Sequence, residues 1–258
     1  MTFWRKIWKS KPQPEVPMKD WALPEGALVY AIGDIHGRFD LLQKLLTQIE
    51  DDRTARWGVE NTYIVFLGDY VDRGFQSYEV IECLASYAAR GVTPIFLRGN
   101  HEELMLRFME DPVEAQLWLS VGGPSTLVSY GIDLQSAELS GDILMASDML
   151  IQKMPEHHLQ FLKNLQTSWR LGDYFFVHAG LRPGVPLKAQ RAKDLTTIRQ
   201  DFTRSRHNFG VCVVHGHTGV KEPEHVGNRI GVDTGAFATG VLTAVVLEGE
   251  EVRFLATT

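Results

Sequence analysis

The chain has 258 residues, a formal net charge of −6 and two cysteines. Its length supports one sizeable core, and its acidic balance gives no general basis for binding nucleic acid. No stretch approaches the roughly 18 apolar residues that a membrane span requires, and two cysteines without metal-ligand spacing predict a reducing, cytoplasmic setting.

Residues 1–25 read as a flexible tail. Phe3, Trp4, Arg5, Lys6, Trp8 and Lys9 make its start basic and aromatic, and Pro12, Pro14 and Pro17 follow. It lacks the apolar segment of a signal peptide. A loosely packed terminus is the first reading, with a short anchor on anionic lipid as the alternative. Residues 26–258 are expected to form a single domain.

Within that domain, short apolar runs alternate with helical spacing. Residues 28–32 form a strand-like run ending at Gly33-Asp34-Ile35-His36-Gly37. Leu41, Leu42, Leu45, Leu46 and Ile49 then recur at helical spacing. Residues 63–67 repeat the strand pattern before Gly68-Asp69-Tyr70-Val71-Asp72-Arg73-Gly74, and Val80, Ile81, Leu84 and Tyr87 mark a second helix. Residues 94–97 lead into Gly99-Asn100-His101-Glu102. Residues 102–170 carry no ligand motif, and Leu104, Phe108, Trp118, Leu144, Leu150 and Leu162 predict a mostly helical insert that shapes a cleft. Strand patterns return at 174–177, before His178-Ala179-Gly180, and at 211–214, before His215-Gly216-His217-Thr218. Residues 241–247 and 252–255 read as a closing hairpin.

Continuous apolar runs indicate strands covered on both faces. Ligands of such sheets lie beyond the carboxyl ends of the strands, so all five motifs are predicted to meet at one edge. The residue types there suit a two-metal hydrolytic centre. Asp34 and His36 can point the same way, Asp69 offers two oxygens to bridge two ions, and Asn100, His178 and His217 complete the second. This carboxylate, amide and imidazole mixture favours two divalent transition-metal ions, manganese first with iron or zinc as alternatives, over calcium or magnesium. Cys83 and Cys212 lie outside the motifs and read as small apolar residues. Arg73 and Arg199 suit bidentate phosphate contacts. His101 directly follows a ligand and suits a general acid, and Asp72 can fix its tautomer. His157, His158, His207 and His225 read as exposed polar residues.

Gly-Asp-Ile-His-Gly, Gly-Asp-Tyr-Val-Asp-Arg-Gly, Leu97-Arg98-Gly99-Asn100-His101-Glu102 and the late Gly216-His217-Thr218 together resemble the metallophosphoesterases. Within them the sequence looks most like the bacterial and phage-type phosphoprotein phosphatases, metal-dependent serine/threonine phosphatases, over about residues 28–247. The run from Asn228 to Ala236 also fits that subgroup. The resemblance implies an α/β fold of two stacked mixed β-sheets flanked by helices, the calcineurin-like arrangement. It places one metal on Asp34, His36 and Asp69 and the other on Asp69, Asn100, His178 and His217. Phosphate falls to Arg73 and Arg199, with His101 as acid and Asp72 behind it, and His215 stands behind the ligands. Two departures are visible. Thr197-Ile198-Arg199-Gln200 lacks the family's tryptophan before the second arginine and its acidic residue after it, and Gly219 replaces a proline.

The expected activity is phosphomonoester hydrolysis by attack of a metal-bridging hydroxide, with a phosphoserine or phosphothreonine protein or peptide as substrate. A dinucleoside polyphosphate hydrolase of the diadenosine tetraphosphate type is the alternative. A binding module that has lost catalysis is the third reading, disfavoured because every expected ligand type is present.

Overall fold

The computed structural model describes residues 20–133 and 142–257. The expected anchor or tail at 1–19 lies outside the described residues. In chain order the strands are β1 (Ala27–Ile32), β2 (Asn61–Phe66), β3 (Val92–Phe96), β4 (Ser168–Leu171), β5 (Tyr174–Val177), β6 (Cys212–His215), β7 (Glu224–Val226), β8 (Arg229–Gly231), β9 (Thr243–Glu248) and β10 (Glu251–Ala256). They form two five-stranded mixed sheets, ordered β10-β9-β1-β2-β3 and β4-β5-β6-β8-β7.

The unbroken apolar runs have a direct explanation in burial. In β1, Leu28, Tyr30 and Ile32 face the helical layer, while Val29 and Ala31 face the second sheet. Alternate side chains therefore enter two different cores, and neither face of the strand meets water. Between the sheets, Val29, Ala31, Val65 and Leu67 pack with Phe176, Val214, Ile230 and Val245. Outside the second sheet, Val177 and Val213 pack against Leu195, Ile198 and Phe202.

Helices cover the outer faces. They are α1 (Phe39–Thr54), α2 (Ser77–Ala85), α3 (Asn100–Glu110), α4 (Leu117–Val121), α5 (Gly123–Ser129), α6 (Ile143–Lys153), α7 (Glu156–Lys163), α8 (Ala192–Thr197), α9 (Gln200–Thr203) and α10 (Ala236–Thr239). The five from α3 to α7 fall within or begin just before the stretch expected to be a helical insert. Its last residues differ, because β4 pairs antiparallel with β5 through Ser168 and Val177. The short β7–β8 pair also lacked a strand signal, since Gly227 and the charged residues around it hide a three-residue ladder.

Two details depart from the expected pattern. β3 is an edge strand with partly exposed residues rather than one covered on both faces. Pro94 sits within it, a position that costs least where no second neighbour needs an N–H. At the other end of the chain, residues 20–25 were grouped with the tail, yet Trp21 and Leu23 are buried between the sheets. The Leu23 amide donates to the Gly249 carbonyl at 2.9 Å, and the Tyr174 hydroxyl donates to the Trp21 carbonyl at 3.2 Å.

What matters for the site is strand register. β1, β2 and β3 are parallel, with Ile32 opposite Phe66 and Phe66 opposite Phe96. The chain therefore leaves all three strands at one level, immediately before Asp34, Asp69 and Asn100. β5 and β6 are parallel to each other, and their ends deliver His178 and His217 to the same place.

Candidate metal centre

Five non-glycine residues have left-handed backbone conformations among the described residues, and all five lie in the motifs: His36, Asp69, Asp72, Arg73 and His217, with φ between 47° and 75°. Such conformations cost about 1 kcal/mol or more each and persist where the surrounding fold over-determines them. Here the determinant is tight backbone packing. A Cβ on Gly99 would lie 2.4 Å from the Asp69 nitrogen and 2.1 Å from its Oδ1, so only glycine admits the Asp69 turn.

Asp69 occupies the centre. Its Oδ2 lies 3.6 Å from His36 Nε2 and its Oδ1 lies 3.3 Å from His178 Nε2. One oxygen thus faces each half of the site, so Asp69 would be shared between two bound ions. The donor atoms of Asp69, His178 and His217 lie within 4.8 Å of one another, and those of Asp69, His36 and His101 form a second such group. His178 Nε2 is 3.2 Å from both Asn100 Oδ1 and His217 Nδ1.

The imidazoles are turned for ligation. His36 Nδ1 donates to the Val71 carbonyl at 2.8 Å, and His178 Nδ1 donates to the Leu67 carbonyl at 2.9 Å. Each contact fixes the tautomer that leaves the Nε2 lone pair facing inward, the usual outer support of a metal-bound histidine. His36 Nε2 is buried with no hydrogen-bond partner, which a bound cation would remedy.

Charge points the same way. Asp34, Asp69, Glu102 and Asp233 are all buried. Burial, followed by the Asp233 carboxylate, holds the Asp34 pKa well above the usual range. Burial disfavours charge on His178, yet Asp69, Asp34 and Glu102 outweigh it and push the ring up to about 10. So many enclosed carboxylates demand positive charge, and divalent cations supply it. The residues present therefore fit a pair of divalent ions. Asp34 stands somewhat apart from the two tight groups. Both its oxygens accept from the His217 amide at 3.1 Å, so it also holds the loop that carries His217.

His101 and Asp72 form the expected pair. His101 Nδ1 donates to Asp72 Oδ2 at 2.6 Å, and His101 Nε2 lies 3.3 Å from the Arg73 guanidinium. Because guanidinium only donates, this arrangement assigns the proton to Nδ1. Burial works against a charged His101, but Asp69 and Asp72 overcome it and raise its pKa. Arg199 is exposed and donates to the His217 carbonyl at 3.0 Å, which brings it beside the centre despite the divergent residues around it. His215 is buried behind His217, edge-on to Phe202 at 5.1 Å, and belongs to neither donor group.

Several supporting residues carried no clear functional signal in the sequence. Trp118 Nε1 donates to Asp72 Oδ2 at 2.8 Å, and the Thr126 hydroxyl donates to Asp72 Oδ1 at 2.6 Å. The helical insert thus reaches the His101–Asp72 pair directly. Glu102 is fully buried and accepts from the amides of Asp69 (3.0 Å), Tyr70 (2.7 Å), Val71 (3.3 Å) and Gly99 (2.9 Å). Burial, then Asp69, pushes its carboxyl up to about 7. Its place directly after His101 was the available clue. Glu102→Ala would strand these donors, and chemical denaturation is expected to show a loss of about 3 kcal/mol. A loss below about 0.5 kcal/mol, the level of an ordinary surface change, would contradict this role.

The sequence profile of the calcineurin-like phosphoesterases matches residues 27–240. A relative from Bacillus subtilis (strain 168), bis(5'-nucleosyl)-tetraphosphatase PrpE (asymmetrical), is 28% identical over 236 residues, covering 82% of this chain and 87% of its own. Among solved structures, a putative diadenosine tetraphosphatase superposes with a TM-score of 0.62 at 22% identity, covering 92% of this chain and 99% of that one. A cold-active protein tyrosine phosphatase superposes at 0.57 with 19% identity, covering 93% and 81%. At those identities the two structures establish the fold alone, while the profile match assigns the lineage: this chain belongs to the calcineurin-like phosphoesterases.

Proposed function

We propose that this metallophosphoesterase hydrolyses dinucleoside tetraphosphates, cutting them asymmetrically. The names of its curated relatives support this reading over the serine/threonine phosphatase expected from the motifs. One geometric observation gives it a physical basis. The Arg73 guanidinium lies 4.6 Å above the ring of Phe237, and that ring is 41% exposed. Phe237 also stands edge-on to His36 at 5.6 Å. A partly exposed aromatic side chain carrying a phosphate-binding arginine suits a nucleoside joined to a phosphate chain, with the base against the exposed part of the ring and the phosphates at the centre.

Asp34, His36 and Asp69 would hold one ion, and Asp69, Asn100, His178 and His217 the other. Bound ions would activate water and neutralise phosphoryl charge. Arg73 and Arg199 bind equatorial oxygens and hold the phosphorus in line. With Arg73 turned from His101 to the phosphate, His101 takes a proton at Nε2 and hands it to the departing oxygen, while Asp72 keeps the ring oriented. A nucleotide leaving group needs little of that help.

The purified, manganese-loaded enzyme is expected to turn over diadenosine tetraphosphate to AMP and ATP with higher kcat/KM than a phosphoserine peptide. Phe237→Ala should lower kcat/KM about tenfold on the dinucleotide, the scale of one lost stacking contact, with a smaller loss on the peptide. Preference for the peptide, or formation of two ADP, would overturn the proposal. The second reading, a phosphoprotein phosphatase, is favoured by the tight His101–Asp72 pair, since an alkoxide leaving group needs an acid.

A further inference from the structure

His158, expected on the surface, is fully buried, and its surroundings contain a second set of metal-type donors. His158 Nε2 lies 2.9 Å from Glu82 Oε2, and His157 Nε2 lies 3.0 Å from the same oxygen. All three donor atoms fall within 4.8 Å of one another. We propose that Glu82, His157 and His158 form a separate binding site for a borderline first-row cation, such as zinc, bridging α2 and α7.

Donor spacing supports this assignment. Metal–nitrogen and metal–oxygen bonds of about 2.0–2.2 Å in a tetrahedral site place neighbouring ligands about 3.3–3.6 Å apart, a few tenths of an ångström beyond the 3.0 and 2.9 Å that separate Glu82 from the two rings. His158 is also oriented from behind, because its Nδ1 lies 2.9 Å from the Tyr130 hydroxyl. That is the outer contact that fixes a ligating imidazole. The Tyr130 hydroxyl can accept as well as donate, so His158 can exchange tautomers and offer Nε2 to an ion.

Access comes from the other two residues. The side chains of His157 and Glu82 are 54% and 46% exposed, and a cleft of about 690 Å³ opens beside His157, lined also by Phe96, Gln160 and Phe161. Three protein ligands with one open side leave room for water or a further donor. Two imidazoles and one carboxylate select zinc, copper or nickel over magnesium or calcium. Without an ion the same atoms form hydrogen bonds between two rings and one carboxylate, which is the alternative that the experiment must separate.

The site shares no residue with the main centre. It would pin α7 to α2, and α2 begins at Ser77, whose hydroxyl accepts from the Asp72 amide at 3.1 Å. An ion there would thus brace the support of the acid pair from the far end of the helix.

Metal counting after zinc loading and gel filtration tests this directly. His157→Ala, at an exposed position, is expected to hold one ion per chain fewer than wild type. The same single-ion loss should appear when His157→Ala is added to Asp69→Asn, so the outcome stands whether or not the main centre binds two ions. Glu82→Gln should match His157→Ala. Zinc should also raise the Tm of the Asp69→Asn chain by more than that of the double variant. Equal ion counts with and without His157 in both backgrounds would overturn the proposal and leave a hydrogen-bonded cluster.

Discussion

His101→Asn is expected to lower kcat on a phosphate monoester about 10²- to 10⁴-fold, the usual contribution of a positioned acid, while the chain keeps its full ion content. The geometry separates the two quantities. His101 Nδ1 is engaged by Asp72, and its Nε2 faces the Arg73 guanidinium at 3.3 Å, a positive charge that disfavours a metal ion on that nitrogen. Asp72 retains its Trp118 and Thr126 donors in the variant, so no carboxylate is stranded. On a dinucleoside tetraphosphate the loss should be at least about tenfold smaller, because an anhydride releases a better leaving group. Steady-state kinetics on both substrates, with metal analysis of the same samples, measure this. Full activity in the variant would remove His101 as the acid. A drop matched by lost metal would instead make it a ligand.

Asp69→Asn should have the larger effect. Asparagine tolerates the left-handed conformation that Asp69 adopts at φ 52°, so the backbone turn survives the change. What disappears is the second anionic oxygen, and with it the charge shared between the two donor groups. Each chain should hold at least one ion fewer than wild type. Turnover should fall about 10³-fold or more, since metal assistance is worth several kcal/mol and each 1.36 kcal/mol is tenfold. An ion count equal to wild type and activity within tenfold of it would show that Asp69 does not join the halves.

Much of this architecture was legible because burial on both faces and a sharp turn leave plain traces in sequence. β1 is buried at every position, so it reads as an unbroken apolar run, and the motifs that follow such strands mark the edge where the metal-type donors gather. Edge strands leave weaker traces. β4 was absorbed into the helical insert because Ser168 and Arg170 give a four-residue strand little apolar character, and β7–β8 were too short to register. Long-range partners left none at all. Trp118 reads as an ordinary apolar residue, although its indole proton meets Asp72, 46 positions earlier. His158 read as a surface histidine because its helix is largely polar. Only the packing of Tyr78 and Tyr130 around it reveals that it is enclosed. The proposed substrate preference was the least legible feature, since Phe237 lies outside the motifs.

The five left-handed residues carry one more consequence. Their contorted turns are enforced by strand register, by glycine contacts and by Glu102, all of which exist as soon as the polypeptide has folded. These restraints come from protein atoms alone, so an enzyme stripped by a chelator is expected to regain its turnover when manganese is returned, without passing again through an unfolded chain.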